Sequence, residues 1–386
     1  MPKEAAIIGI GNTKAGSALS ETREKSEIAF SAINAATKMA NISIHDVNVT
    51  FFCTVDAFEG TNRLDRIMNS FGQSSHIPVV MVNTGGTGGA SGFKEAYHYV
   101  TAGFCDIAMV YGASTAGGVV DAQQILNTAA PPLFEKPFGI GALQMAAFYA
   151  TRYMHEYGAT EEDFALVAAK NHKAAMKNPY AHIRKGFSFE EVLASPMIGW
   201  PLRRYEICPV SSGASAIILA SEEKAKELSD TPVWIRAVGS TTDTFQSGYR
   251  DYIGFKQLRT LSEKLYHATG IKNPRKEIDV VELFNPFSPF ELWEYEALGF
   301  CGEGKGSQLV REGITDIDGE LPVNMSGGTL CTNAGISASL NRIGDVALQL
   351  MGKFEGIQVR SPKIGLAHAW GGNLGQFNCI AILARQ

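Results

Sequence analysis

Short apolar runs alternate with amphipathic stretches along most of the chain. Residues 6–11 form a buried strand that ends in a glycine turn, and residues 24–39 place Ile28, Ala32 and Ala35 at helical spacing. Residues 47–52 are β-branched and aromatic, which predicts a strand. Residues 77–82 run into a glycine-rich turn, a helix then reaches Thr101, and residues 107–113 are almost continuously apolar. Unbroken runs separated by helices favour strands covered on both faces over exposed hairpins.

The periodicity fades from Ser114 to about Gly139, where Pro131, Pro132 and Pro137 point to an irregular segment. Helices resume at 140–157 and 161–171, residues 200–208 read as a connection, and 216–219 as the last strand of a first half. A short polar helix at 222–228 precedes a strand at 233–238. The alternation then repeats: helix 258–269, strand 280–283, helix 290–298, a second glycine turn at 326–328, helix 338–351, and strands at 363–367 and 379–383. Two α/β halves fused as a pseudo-duplication are therefore expected, 1–230 with an insertion at about 114–205, and 231–386.

Composition narrows the function classes. The 386 residues are 45% hydrophobic and 19% charged, the balance of a globular chain. A net charge of -5 speaks against a nucleic-acid-binding role, which needs a basic surface. Cys53, Cys105, Cys208, Cys301, Cys331 and Cys379 are scattered, with no CxxC spacing, so reduced thiols, a cytoplasmic setting and no zinc site are expected. The start MPKEAAIIGIG has no apolar core of signal-peptide length, and the apolar stretch 140–150 is too short for a membrane span. No GxGxxG opens at Ile10-Gly11, so a dinucleotide site is not expected there.

Glycine is the outlier, at 40 residues, and concentrates in Asn83-Thr84-Gly85-Gly86-Thr87-Gly88-Gly89. Such a strand-to-helix turn presents backbone N–H groups toward a ligand, or simply lets helix and strand pack closely. Longer motifs accompany it: residues 170–181 (KNHKAAMKNPYA), 208–214 (CPVSSGA), 296–301 (EALGFC), 323–328 (VNMSGG) and 368–372 (HAWGG). Together they resemble the thiolase superfamily, in its sterol-carrier/archaeal thiolase-like branch, over nearly the whole chain. The resemblance implies a five-layer αβαβα fold with mixed sheets, a homodimeric core, an acyl-CoA substrate and no permanently bound cofactor. It also implies a small companion protein with a zinc ribbon and an OB fold, as many members of this branch need.

The resemblance also shows what is missing. The family's nucleophilic cysteine maps to Gly86, its two histidines to Phe284 and Ala334, and a second cysteine or asparagine to Ala369. Without a thiol at 86 the usual acyl-enzyme does not follow. His368 is a base or oxyanion donor, or else a structural histidine. Asn285 and Asn333 hold a thioester or enolate oxygen, or cap helices. Cys331 is a displaced nucleophile or a buried small residue. Gly86, Thr87, Gly371 and Gly372 belong to the ligand-side turns, and His172 and Lys173 to a CoA channel or to the scaffold.

Three functions stay open at this point. The first is acyl-CoA carbon–carbon bond cleavage or formation, as an unconventional thiolase or a retro-aldol lyase, on an oxyanion site where His368, Asn285 or a tyrosine such as Tyr180 shares the work of base and oxyanion donor. The second is a thiolase with a site rebuilt on Cys331. The third is a non-catalytic thiolase-like subunit of a heteromeric acyl-CoA enzyme.

Overall fold

The computed structural model describes residues 4–17, 24–55, 76–115, 126–127 and 130–385. Of the irregular segment expected at 114–139, residues 116–125, 128 and 129 lie outside the described residues.

In chain order the strands are β1 (Ala5–Asn12), β2 (Gly16–Ser17), β3 (Val49–Cys53), β4 (Val79–Val82), β5 (Ile107–Ser114), β6 (Met197–Gly199), β7 (Leu202–Arg203), β8 (Ser211–Ser221), β9 (Val233–Thr242), β10 (Val280–Glu282), β11 (Ile364–Gly371) and β12 (Phe377–Ala384). Most form one path, in the order β10-β11-β12-β9-β1-β8-β5-β3-β4, with β2 on the start of β8 and β6 paired only with β7. The path repeats one plan twice. From β1, the pairings run antiparallel to β8, antiparallel to β5, parallel to β3 and parallel to β4. From β9, they run antiparallel to β12, antiparallel to β11 and parallel to β10, and a parallel bridge from Val281 to Val323 stands where β4 stands in the first half. The two runs meet over only two antiparallel residue pairs, Ala6 with Trp234 and Ile7 with Val233.

Helices stack between and outside these runs. Helix α1 (Lys25–Met39) covers β1, β8 and β5. Helix α2 (Gly88–Thr101) leaves the first glycine turn, and its counterpart α7 (Ser337–Met351) follows the second. These two pack on each other, α2 against β3 and β5, and α7 against strands of both runs. Helices α5 (Lys256–Thr269) and α6 (Ser288–Ala297) pack together, and α5 covers β9 and β12. Five layers, αβαβα, result, and the two halves share their strand order. The unbroken apolar runs are the buried strands: every residue of β5 and β8 is buried, because helices press on both faces. Helices α3 (Ala142–Tyr157) and α4 (Glu161–Ala175) are the two long helices of the insertion among the described residues.

Candidate active site

The first glycine corner forms as a tight turn between β4 and α2. Gly85 takes a positive φ of 60°, its carbonyl accepts from the Gly88 N–H at 2.9 Å, and the Thr87 hydroxyl donates to the Thr84 carbonyl at 2.7 Å. The end of β11 lies against this turn. A Cβ on Gly86 would sit 2.8 Å from the Trp370 carbonyl oxygen and 3.4 Å from the Phe284 ring. A Cβ on Gly371 would sit 2.5 Å and 2.6 Å from the amide nitrogens of Gly86 and Thr87. Gly86, Thr87, Gly371 and Gly372 are thus brought together, as are the positions of two of the missing groups, Gly86 and Phe284. They meet as close-packed backbone. The backbone of Gly371 packs against the amides of Gly86 and Thr87 so closely that only glycine fits at position 371.

His368 does not serve this corner. Successive residues of a strand face opposite sides of the sheet. Gly365 and Gly371 of β11 face Val346 of α7 and the corner, whereas Trp370 and His368 face α6. There the Trp370 indole donates to Glu294 Oε1 at 3.0 Å, and His368 Nδ1 lies 3.4 Å from the same oxygen, too poorly directed to count as a hydrogen bond. His368 Nε2 is bonded to Asn378 Oδ1 at 3.1 Å. Burial pushes the Glu294 carboxyl up to about 7, against the opposing pull of His368 and Trp370.

Asn285 is a cap and a bridge. Its carbonyl oxygen accepts from the Thr329 and Leu330 N–H groups at the second glycine turn, and its amide donates to Glu291 at 2.6 Å. Glu291, fully buried in α6, is the hub: Asn171 and Asn324 donate to it at 2.8 and 2.9 Å, and the Lys170 ammonium and the Tyr295 hydroxyl contact its other oxygen. Lys170 and Asn171 of the long Asn-His-Lys motif are therefore scaffold. Sequence reasoning gave Glu291 no role in the site: two of its partners, Lys170 and Asn171, lie about 120 residues away in the chain.

Cys331 meets a base after all, since its sulfur is 3.4 Å from His172 Nδ1. The pair is nevertheless sealed. The Tyr205 carbonyl accepts from His172 Nε2 at 2.9 Å, which leaves Nδ1 to accept from the thiol. Burial raises the thiol's pKa well above its ordinary value and lowers that of the imidazole. Both residues are essentially without solvent contact, so neither offers a nucleophile or a CoA ligand. Asn333 donates to Cys208 Sγ at 3.2 Å, and its main chain pairs with Ser211. Lys173 is exposed and lines a groove on α4 that shares no residue with the corner.

An open pocket of about 450 Å³ does adjoin the corner, lined by Phe148, Arg152, Arg250, Asp251 and Tyr252. Arg250 donates to the carbonyls of Asn373 and Leu374, immediately after the Gly371-Gly372 turn, so this pocket lies behind the corner. Asn373 also donates to Glu135, tying the insertion to the same turn. Among the described residues no His, Cys, Asp or Glu cluster is suited to a metal ion, and no helix is long and apolar enough to cross a membrane.

Residues 239–385 match the family model described as "Thiolase C-terminal domain-like". An acetyl-CoA acetyltransferase of Methanocaldococcus jannaschii is 30% identical, over 99% of each chain. A steroid side-chain-cleaving aldolase of Thermomonospora curvata is 31% identical, over 86% of each. The solved structure "Ltp2-ChsH2(DUF35) aldolase" superposes with a TM-score of 0.84 at 28% identity, covering 100% of this chain and 98% of the other.

Proposed function

The chain belongs to the thiolase superfamily, in its sterol-carrier-protein/thiolase-like branch, and on that premise we propose that it serves an acyl-CoA carbon–carbon bond enzyme as a subunit that forms no acyl-enzyme of its own. Likeness to acetyl-CoA acetyltransferases, a CoA-thiolase subunit and a steroid-CoA lyase supports an enzymatic role in acyl-CoA carbon–carbon chemistry. The observation that carries the finer reading is the closed corner. Where a nucleophile would stand, the Trp370 carbonyl oxygen, 2.8 Å from the side chain's first carbon, leaves no room even for a methyl group. Acyl transfer needs an activated nucleophile within reach of the thioester, and among the described residues no such side chain faces this corner.

A CoA thioester as substrate is supported by the pocket behind the corner. The guanidinium of Arg152, exposed and paired at 3.0 Å with Glu156 one turn on, has further donors that suit phosphate, and the rings of Phe148 and Tyr252 suit apolar groups. A companion protein is supported by exposed apolar side chains within the insertion: Leu133 and Phe138 are each 79% exposed, and Phe134 is 64% exposed. Single exposed apolar residues are ordinary, but a group of them marks an interaction surface. A zinc-ribbon and OB-fold companion, and a homodimeric core, belong to this proposal. So does a cytoplasmic location, in keeping with six free cysteines.

A second reading, retro-aldol cleavage by this chain, is favoured by its whole-length likeness to the aldolase structure. It needs no acyl-enzyme, but it needs a base beside an open oxyanion site. One experiment separates the two. Purified chain, alone and with a zinc-ribbon companion, is offered β-ketoacyl-CoA plus CoA, and β-hydroxyacyl-CoA. The subunit reading expects CoA-thioester binding by the chain alone, with turnover only in the complex. Aldehyde or ketone release by the chain alone establishes the aldol reading, and an acyl adduct on this chain overturns both.

A further inference from the structure

We propose that the groove along α4 is a binding site for an amphiphilic monocarboxylate, distinct from the corner and from the arginine-lined pocket. Its walls come from three places. Leu166, Ala169 and Met176 form a stripe at helical spacing on and just beyond α4, Phe187 faces them from the segment before residue 189, and Val310 and Ile317 close the third side. The space they enclose is about 470 Å³, within the range of roughly 300–1,000 Å³ typical of small-ligand sites.

Charge decides the class of occupant. The floor is the stem of Lys170, whose ammonium is already engaged by Glu291, the Tyr295 hydroxyl and the Val323 carbonyl, so it offers methylenes only. Lys173 sits on the α4 lip, exposed and without an ion-pair partner among the described residues. A second cation, Lys185, stands 5.0 Å from the centre of the Phe187 ring, beside the same mouth. Asp316, from a different wall, is the one acid in the lining, and no ion pair joins it to Lys173 among the described residues. An apolar body with one carboxylate satisfies this arrangement: the chain covers the apolar walls, and the head meets Lys173 and Lys185. Asp316 in the lining disfavours a second carboxylate, so a dicarboxylate is disfavoured by like-charge repulsion.

The lining shares no residue with the corner or the Arg152 pocket, so the proposal stands or falls independently of the acyl-CoA reading. Isothermal titration of the full chain with decanoate, decanol and decanedioate tests it. Decanoate is expected to bind one per chain, more tightly than the other two, and more weakly at high salt. Lys173→Gln should weaken decanoate about fivefold, the scale of an exposed ion pair, and leave decanol unchanged. Ala169→Phe, on a half-exposed position, should fill the groove and abolish binding while circular dichroism stays native. Absence of decanoate binding at millimolar concentration, binding unchanged in both variants, or displacement of decanoate by coenzyme A would overturn the site.

Discussion

The carbonyl oxygen of Trp370 lies 2.8 Å from the point where a side chain on Gly86 would begin. That contact is with backbone held in β11, which cannot swing aside as a flexible side chain can. Restoring the family's thiol should therefore fail. Gly86→Cys is expected to lose about 1–3 kcal/mol of stability, the usual cost of overpacking. Gly86→Ala should lose a similar amount, because the clash is at Cβ. Denaturant unfolding checks the first half, and intact-mass measurement after incubation with acetyl-CoA checks the second. A stable, acylated Gly86→Cys variant would show that the corner opens.

The Cys331–His172 pair makes a different prediction, about access. A buried thiol whose pKa is raised by burial has too little thiolate to react. In the native chain Cys331 should resist a thiol reagent such as dithionitrobenzoate, while the partly exposed Cys105 and Cys301 are modified first. Cys331→Ala should cost roughly 1 kcal/mol, from lost packing and the bond to His172, and leave any turnover of the complex intact. Loss of turnover without loss of fold would revive the displaced nucleophile.

The buried strands were legible because β5 and β8 are covered on both faces, and continuous apolar runs register that covering directly; their order in the sheet was not. The glycine corner was legible for a similar reason, since only glycines tolerate a positive φ at Gly85 and the approach of β11 at Gly86. The site's side chains were not. His368 and Ala369 are neighbours in sequence, but the strand turns them to opposite faces, so one cannot stand in for the other. That much the two-residue period could have told. The Glu291 hub could not be read at all, because Lys170, Asn171, Asn285 and Asn324 converge on it only through the fold.

That hub should be the least tolerant polar site in the molecule. Removing its carboxylate leaves the Lys170 ammonium and several amide donors buried without an acceptor. Glu291→Ala is expected to destabilise by about 3–5 kcal/mol, the range for breaking a buried pair from one side. Lys170→Met should cost less, because Asn171, Asn285, Asn324 and Tyr295 still satisfy the carboxylate. The double variant should be more stable than the sum of the two losses implies, by more than about 0.5 kcal/mol. Strict additivity in urea unfolding would mean that the contacts are not coupled.

Glu294 sets the sign of the pH dependence. Burial raises its carboxyl from an ordinary value of 4.5 to about 7, and Asp345, which shares the single guanidinium of Arg342 with Glu282, is raised from 3.8 to about 7. Between these values the folded chain keeps protons that the unfolded chain has released. Stability from these groups is therefore fully present below the unfolded values and is lost as pH rises toward 7. Each group contributes a slope of at most about 1.4 kcal/mol per pH unit. The urea midpoint is expected to fall between pH 5 and 7, and Glu294→Gln, which keeps the shape but cannot titrate, should flatten the decline by up to one proton's worth. A wild-type slope retained in that variant would mean that Glu294 is already ionised at pH 5 and does not carry the decline.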